Sequence, residues 1–282
     1  MQSQSDYQEF SLADSSHAAR LFGGRISAIR GFGTGSVVVT ITCLITALFV
    51  VHNFAQSEEL ARPRLEGKVV VSGFEPFGGR AENASWILAD GIRKIHPEVN
   101  AVLIPVVWGA PLSAIRKAQP LPSVWIAFGE GTPDFRIEIQ GRNQRGQSPD
   151  NTGGKPQTPE IVSGGESILR NQVDAAALSA ALEKAGFPVQ VSRNAGAYLC
   201  EEMLYSLLHT QKEQPNALRL VLFIHVPRLG QIVSLPSRKD GQVRISRKLD
   251  AEWLGEFGKQ LFIALRALRW IETPDFPGSA RW

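Results

Sequence analysis

Residues 188–210 read PVQVSRNAGAYLCEEMLYSLLHT. A short β-branched run, a turn rich in Asn, Gly and Ala, and a longer stretch with apolar residues at helical spacing spell strand, turn, helix. The same order recurs on both sides. KVVVSGF (68–74) precedes the helical pattern NASWILADGIRKIH (83–96), and NAVLIPVVW, SVWIAFGEG and FRIEIQG follow as extended runs. QVDAAALSAALEKAG (172–186) is helical, LRLVLFIHVP (218–227) is a strongly apolar strand, and DAEWLGEFGKQLFIALRALRW (250–270) closes the chain as a helix. Continuous apolar runs of strand length alternating with amphipathic helices predict an α/β domain over 67–282: a three-layer α/β/α sandwich around a largely parallel, twisted sheet.

At 282 residues and 43% hydrophobic content the chain can bury one large core. The net charge, 30 − 27 = +3, comes from scattered basic residues without aromatic interleaving, which argues against a nucleic-acid surface. Only two cysteines, Cys43 and Cys200, are present, far apart, and no His/Cys cluster has metal-ligand spacing. Neither a disulfide framework nor a zinc site is expected.

The N-terminus differs from the rest. Residues 1–30 form a polar tail, whereas the 27 residues 31–57 contain no Lys, Arg, Asp or Glu and enclose VVVTITCLITALFVV (37–51). A run of this length reads as a single transmembrane helix acting as an uncleaved anchor, followed by a short linker at 58–66. Arg20, Arg25 and Arg30 on one side are matched by Arg62, Arg64 and Lys68 on the other, so the charge bias leaves the side of the membrane open. The competing reading is a buried element of the main domain. Cys43 lies within this run, which leaves Cys200 as the thiol available for chemistry.

Cys200 falls in the first turn of the helix expected to start near Ala197, where the macrodipole favours a thiolate. From this segment alone a primed nucleophile and a small buried hydrophobe are both open readings. His225 ends a strand before Pro227 and is the histidine placed to act as a base, although a structural role fits too. Glu138 in FRIEIQG is the candidate carboxylate to orient the imidazole, or a solvated strand residue. SGFEPFGGR (72–80) is a glycine-rich turn without a Lys-Ser/Thr pair; Phe74 and Phe77 suit a flat, weakly polar ring better than phosphate. The polar stretch 142–165 is predicted to be a long loop, either a mobile active-site or assembly loop or a plain surface excursion.

These motifs together resemble the pyroglutamyl peptidase I (pyrrolidone carboxyl peptidase) family of cysteine peptidases. GFEPFGG with NASW, then IPVVW, EIQGRN with PDN downstream, NAGAYLC and FIHVP occur in the family's order from about residue 67 to the last helix. The resemblance implies hydrolysis of the amide bond after an N-terminal pyroglutamyl residue, with Cys200 as nucleophile, His225 as general base and acid, Glu138 orienting His225, and Phe74 and Phe77 holding the lactam ring. It implies peptide substrates, no metal, no organic cofactor, and a homo-oligomer. It also implies a cytoplasmic protein, against the membrane anchor read from residues 31–57. Three departures stand out. Ala84 occupies a usual proline position. Glu201 and Glu202 follow the nucleophile where bacterial members often have Asn, and like charges there would raise the thiol pKa. Arg145 is the nearest arginine before PDN, but its spacing is shifted and it is not assigned to the site. A cysteine hydrolase of another small N-acyl or lactam substrate, and a membrane-tethered binding protein with a relic site, remain the other readings.

Overall fold

A computed structural model describes residues 69–131, 133–234 and 246–271, all within the unit 58–282. The apolar run 37–51 and the anchor expected there lie outside the described residues. Among the described residues no helix is long and apolar enough to cross a membrane.

The elements in chain order are β1 (Val69–Phe74), α1 (Ala84–Ile95), β2 (Asn100–Ile104), α2 (Ala110–Lys117), β3 (Val124–Glu130), β4 (Phe135–Glu138), β5 (Gln140–Arg142), β6 (Ile168–Arg170), α3 (Ala175–Lys184), β7 (Val189–Ser192), α4 (Leu199–Glu213), β8 (Leu220–Val226), β9 (Ile232–Ser234), β10 (Ser246–Lys248) and α5 (Ala251–Ala267). Six strands form the central sheet in the order β2-β1-β3-β8-β4-β7. Every residue of β1, β3 and β8 is buried, as expected of parallel strands covered on both faces.

Side chains alternate across this sheet and divide the core in two. Val69, Val71, Ile126, Phe128, Ile224 and Ile137 pack with α1, α3 and α5 on one face. Val70, Trp125, Ala127, Val221 and Phe223 pack with α2 and α4 on the other. The three layers expected from the sequence are present. The same parity puts Gly129, Glu138 and His225 on the face covered by α2 and α4, the face from which α4 presents Cys200.

The sheet departs from the simplest reading in one respect. Four of its five pairings are parallel, but β4 pairs antiparallel with β8, and β7 runs parallel to β4. The strand before Cys200 therefore runs against β8. It is an edge strand and ends level with the middle of β8, since Ser192 pairs with Glu138, one residue beyond the Ile137–Ile224 pair. Residues 193–198 carry the chain back, and α4 starts at Leu199 with Tyr198 as its N-cap, two residues later than expected.

Helix boundaries follow ordinary capping chemistry. Asn83 Oδ1 accepts from the Ser85 N–H at 3.0 Å and starts α1, and Asp250 Oδ1 accepts from the Trp253 N–H at 2.7 Å and starts α5. Arg93 and Lys94 fall in the last turn of α1, where cations suit the helix dipole. Gly73 is required where β1 meets this helix: a Cβ there would lie 2.3 Å from the Ser85 carbonyl oxygen.

The long loop at 142–165 is tied down at several points. Asn143 Oδ1 accepts from the N–H groups of Ile161 and Val162, both at 2.8 Å, and Ile161 is buried. Tyr198 donates its hydroxyl to the Pro149 carbonyl at 3.0 Å, and Asn151 Nδ2 donates to the Pro76 carbonyl at 2.9 Å. Helix α4, enclosed by sheet, α2 and this loop, buries nine residues in its first ten positions.

Candidate active site

His225, the sixth of seven residues in β8, is 4% exposed, and Glu138 at the end of β4 is fully buried. Their side chains meet on the α4 face, with His225 Nδ1 2.9 Å from Glu138 Oε1. The second carboxylate oxygen accepts from the Asn194 N–H at 3.2 Å, so Glu138 also fixes the turn that leads into α4. With Nδ1 donated to Glu138, the other ring nitrogen is left for the Cys200 side chain, which lies beside the imidazole over Gly129. Cys200 is the second residue of α4 and is partly exposed.

A glycine makes this approach possible. A Cβ on Gly129 of β3 would lie 2.8 Å from Cys200 Sγ, 2.9 Å from Phe223 Cζ and 3.0 Å from His225 Cδ2. Real Cβ atoms do not tolerate such contacts, so this position has to lack one. The sequence carried a signal for it, since an isolated glycine inside an apolar strand pattern marks a close approach.

Burial disfavours the charged imidazole, but the Cys200 thiolate, by its charge and its hydrogen bond, and then Glu138 overcome that penalty and raise the His225 pKa to about 9. The imidazole is thus held protonated through neutral pH and loses its proton as pH rises through about 9. Activity that depends on this proton has its alkaline limb near there. Glu138→Gln removes one of the charges that raise the pKa, so the limb in kcat/KM against pH is expected to move down by about one unit. A limb that stays in place would detach Glu138 from the titration.

No side chain caps the start of α4, so its first N–H groups face the site without a side-chain partner. The two acidic residues after Cys200 do not act as the sequence suggested. Glu201 is bound by Arg142, whose Nη2 lies 2.7 Å from Oε2, and Glu202 by Arg145, also at 2.7 Å. Burial pushes the Glu201 carboxyl up against the pull of Arg142. Glu202 Oε2 also accepts from the Gly109 N–H at 3.2 Å. Arg142 additionally donates to Asn194 Oδ1 at 2.6 Å and to the Gly196 carbonyl, which staples the turn before Cys200. Arg145 lies behind the helix and is absent from the cavity walls.

A cavity of about 280 Å³ opens directly on these groups. Phe74, Phe77, Val106, Tyr198 and Leu199 supply apolar wall, Asn83, Glu130 and Gly131 close one side, and Cys200 and His225 line it. All five residues singled out in the sequence thus converge on one place. Tyr198, Val106, Glu130 and Gly129 were not foreseen. Tyr198 stands 6.4 Å from the Phe77 ring and packs edge-on against Trp108 at 5.2 Å, which makes it part of the same aromatic wall.

Residues 67–247 match the family model for pyroglutamyl peptidase, Peptidase_C15. The chain belongs to this family. It is 36% identical over 171 residues to a pyrrolidone-carboxylate peptidase of Chromobacterium violaceum and 34% identical over 171 residues to one from an Enterobacter species. Each alignment covers 58% of this chain and 79% of the relative. Among solved structures, a mutant pyrrolidone carboxyl peptidase from the hyperthermophile Pyrococcus furiosus superposes with a TM-score of 0.57 at 27% identity, over 71% of this chain and 99% of that one. The pyroglutamyl peptidase I of Bacillus amyloliquefaciens, 23% identical, shares the fold with a TM-score of 0.58 over 74% of this chain and 99% of its own.

Proposed function

We propose that this family member is a cysteine peptidase that removes an N-terminal pyroglutamyl residue from peptides, with Cys200, His225 and Glu138 as its catalytic residues. The observation that carries the reading is a thiol at an uncapped helix start, beside a buried imidazole that is itself held by Glu138, all on an apolar cavity. The Cys200 thiolate attacks the carbonyl carbon of the pyroglutamyl residue. Negative charge gathers on the carbonyl oxygen, where the Cys200 N–H at the head of α4 stabilises it. The His225 imidazolium then donates its proton to the leaving amine as the C–N bond breaks, which leaves a thioester on Cys200 and a neutral imidazole. Water, deprotonated by that imidazole, attacks the thioester, releases pyroglutamate and restores the ion pair.

The ring fits the walls by its chemistry. A lactam is flat and uncharged, and Phe74 and Phe77 offer it aromatic faces. No Lys or Arg lines the cavity among the described residues, so an open glutamyl side chain would bring in a carboxylate without a counter-ion. Full-length protein assayed on fluorogenic amides of pyroglutamate, proline and glutamate tests this. Cleavage of the pyroglutamyl amide alone is expected. Equal cleavage of an N-acyl or different lactam amide would favour a broader small-acyl hydrolase.

The uncharged residues 31–57 support an N-terminal membrane anchor outside the catalytic unit. The family match begins only at residue 67. Deleting residues 1–57 is therefore expected to release the protein from the membrane fraction and leave kcat/KM within about twofold. Loss of activity on deletion would make the segment part of the domain.

A further inference from the structure

Glu130 ends β3 with its side chain only 2% exposed, lines the cavity, and has no part in the chemistry above. Both its oxygens are engaged. Oε1 takes the guanidinium of Arg80, and Oε2 accepts from the Ala84 N–H at 2.7 Å. The second bond explains a departure noted in the sequence: a proline at position 84 has no N–H to give. Arg80 in turn holds Phe77. Its Nε donates to the Phe77 carbonyl at 3.2 Å and its guanidinium carbon lies 4.4 Å from the Phe77 ring centroid. One buried carboxylate is thus linked by a planar cation to the outer aromatic wall of the cavity and, separately, to the first residue of the helix behind it.

We infer that Glu130 is a positioning residue for substrate recognition: through Arg80 it holds Phe77 where the ring must bind, and so sets affinity rather than the chemical step. The inference rests on the reading that this cavity takes the pyroglutamyl ring. Phe77 sits in a loop with two glycines in left-handed conformation, Gly78 and Gly79 at φ +63° and +74°, so its own backbone gives it little purchase. The guanidinium stacked on its outer face replaces the packing that a buried phenylalanine would have. The ring pocket is then preformed, and the ordering of Phe77 is not charged against substrate binding.

The test is Michaelis kinetics of the full chain on a pyroglutamyl amide for wild type, Arg80→Met, Arg80→Lys, Glu130→Gln and the Arg80→Met/Glu130→Gln double variant. Arg80→Met is expected to raise KM about tenfold and Glu130→Gln about fivefold, with kcat within about twofold, because uniform binding is lost and transition-state contacts are kept. The double variant should be no worse than Arg80→Met alone, since both break one linkage. Arg80→Lys keeps the charge for Glu130 but lacks the planar face over Phe77, so its KM should fall between. The alkaline limb near pH 9 should not move in any of them. Glu130→Gln still accepts from the Ala84 N–H, which keeps the helix start intact and separates positioning from folding. Unchanged KM in all four variants, additive effects in the double, or a fall in kcat at constant KM would overturn the inference while leaving the wild-type activity standing. A wild type that cleaves no pyroglutamyl amide would overturn the inference and the functional reading together.

Discussion

Cys200→Ser is expected to lower kcat/KM on a pyroglutamyl amide by at least about three orders of magnitude without disturbing the fold. The exchange is nearly isosteric, so the cavity and the contact over Gly129 persist. What changes is the charge state. In the proposed mechanism the attacking group is a thiolate, whereas a serine hydroxyl at the same helix start stays protonated and must be deprotonated within the reaction. His225 carries a second readout. The Cys200 thiolate is the largest of the influences that raise its pKa toward about 9, so in Cys200→Ser the imidazole should titrate well below that value in a histidine proton NMR titration. Residual activity above about a tenth of wild type would remove Cys200 from the nucleophile role.

Gly129→Ala is expected to cost about two to three orders of magnitude in kcat/KM, although it touches no substrate. The added methyl would sit 2.8 Å from Cys200 Sγ and 3.0 Å from His225 Cδ2, against both groups that exchange a proton in the proposed mechanism. Relief in the third direction is blocked, because Phe223, 2.9 Å away, is fully buried in a close-packed core. Sulfur and imidazole therefore have to separate, by something near 1 Å, and misplacement of that size is enough for about a hundredfold loss. The variant should also label more slowly with a neutral thiol reagent, because a displaced thiol loses its imidazolium partner. Wild-type kinetics in a folded Gly129→Ala protein would mean that the cysteine and histidine do not work in the arrangement described.

Much of the architecture could be read from residue pattern because it depends on local periodicity. The runs around Val69, Ile126 and Ile224 are apolar without alternation, which only a sheet covered on both faces requires, and the helices between them carry one apolar stripe. Cys200 and His225 were legible for a related reason: each stands at the boundary of an element, where backbone geometry predicts what the side chain can reach. The direction of β4 and β7 was not legible. Strands of four residues carry no signature of polarity, and their reversal is fixed only by the pairing of Ile137 with Ile224 far along the chain. The ion pairs Arg142–Glu201, Arg145–Glu202 and Arg80–Glu130 were invisible for the same physical reason, since each joins residues about fifty or more apart. Hence Glu201 and Glu202 read as a threat to the thiolate, when Arg142 and Arg145 hold them as ion pairs.

In the proposed mechanism Cys200, activated by His225, reacts at the acyl carbon of a pyroglutamyl ring held between aromatic walls. The most direct test is active-site labelling of the full-length protein with one equivalent of the chloromethyl ketone of pyroglutamate, alongside the chloromethyl ketone of proline, followed by peptide mapping by mass spectrometry. Expected is stoichiometric loss of activity with the pyroglutamyl reagent, the label on Cys200 and not on Cys43, protection by free pyroglutamate, and labelling at least about tenfold slower with the prolyl reagent or in His225→Ala. Equal rates with the two reagents, or inactivation with Cys200 unlabelled, would contradict the account.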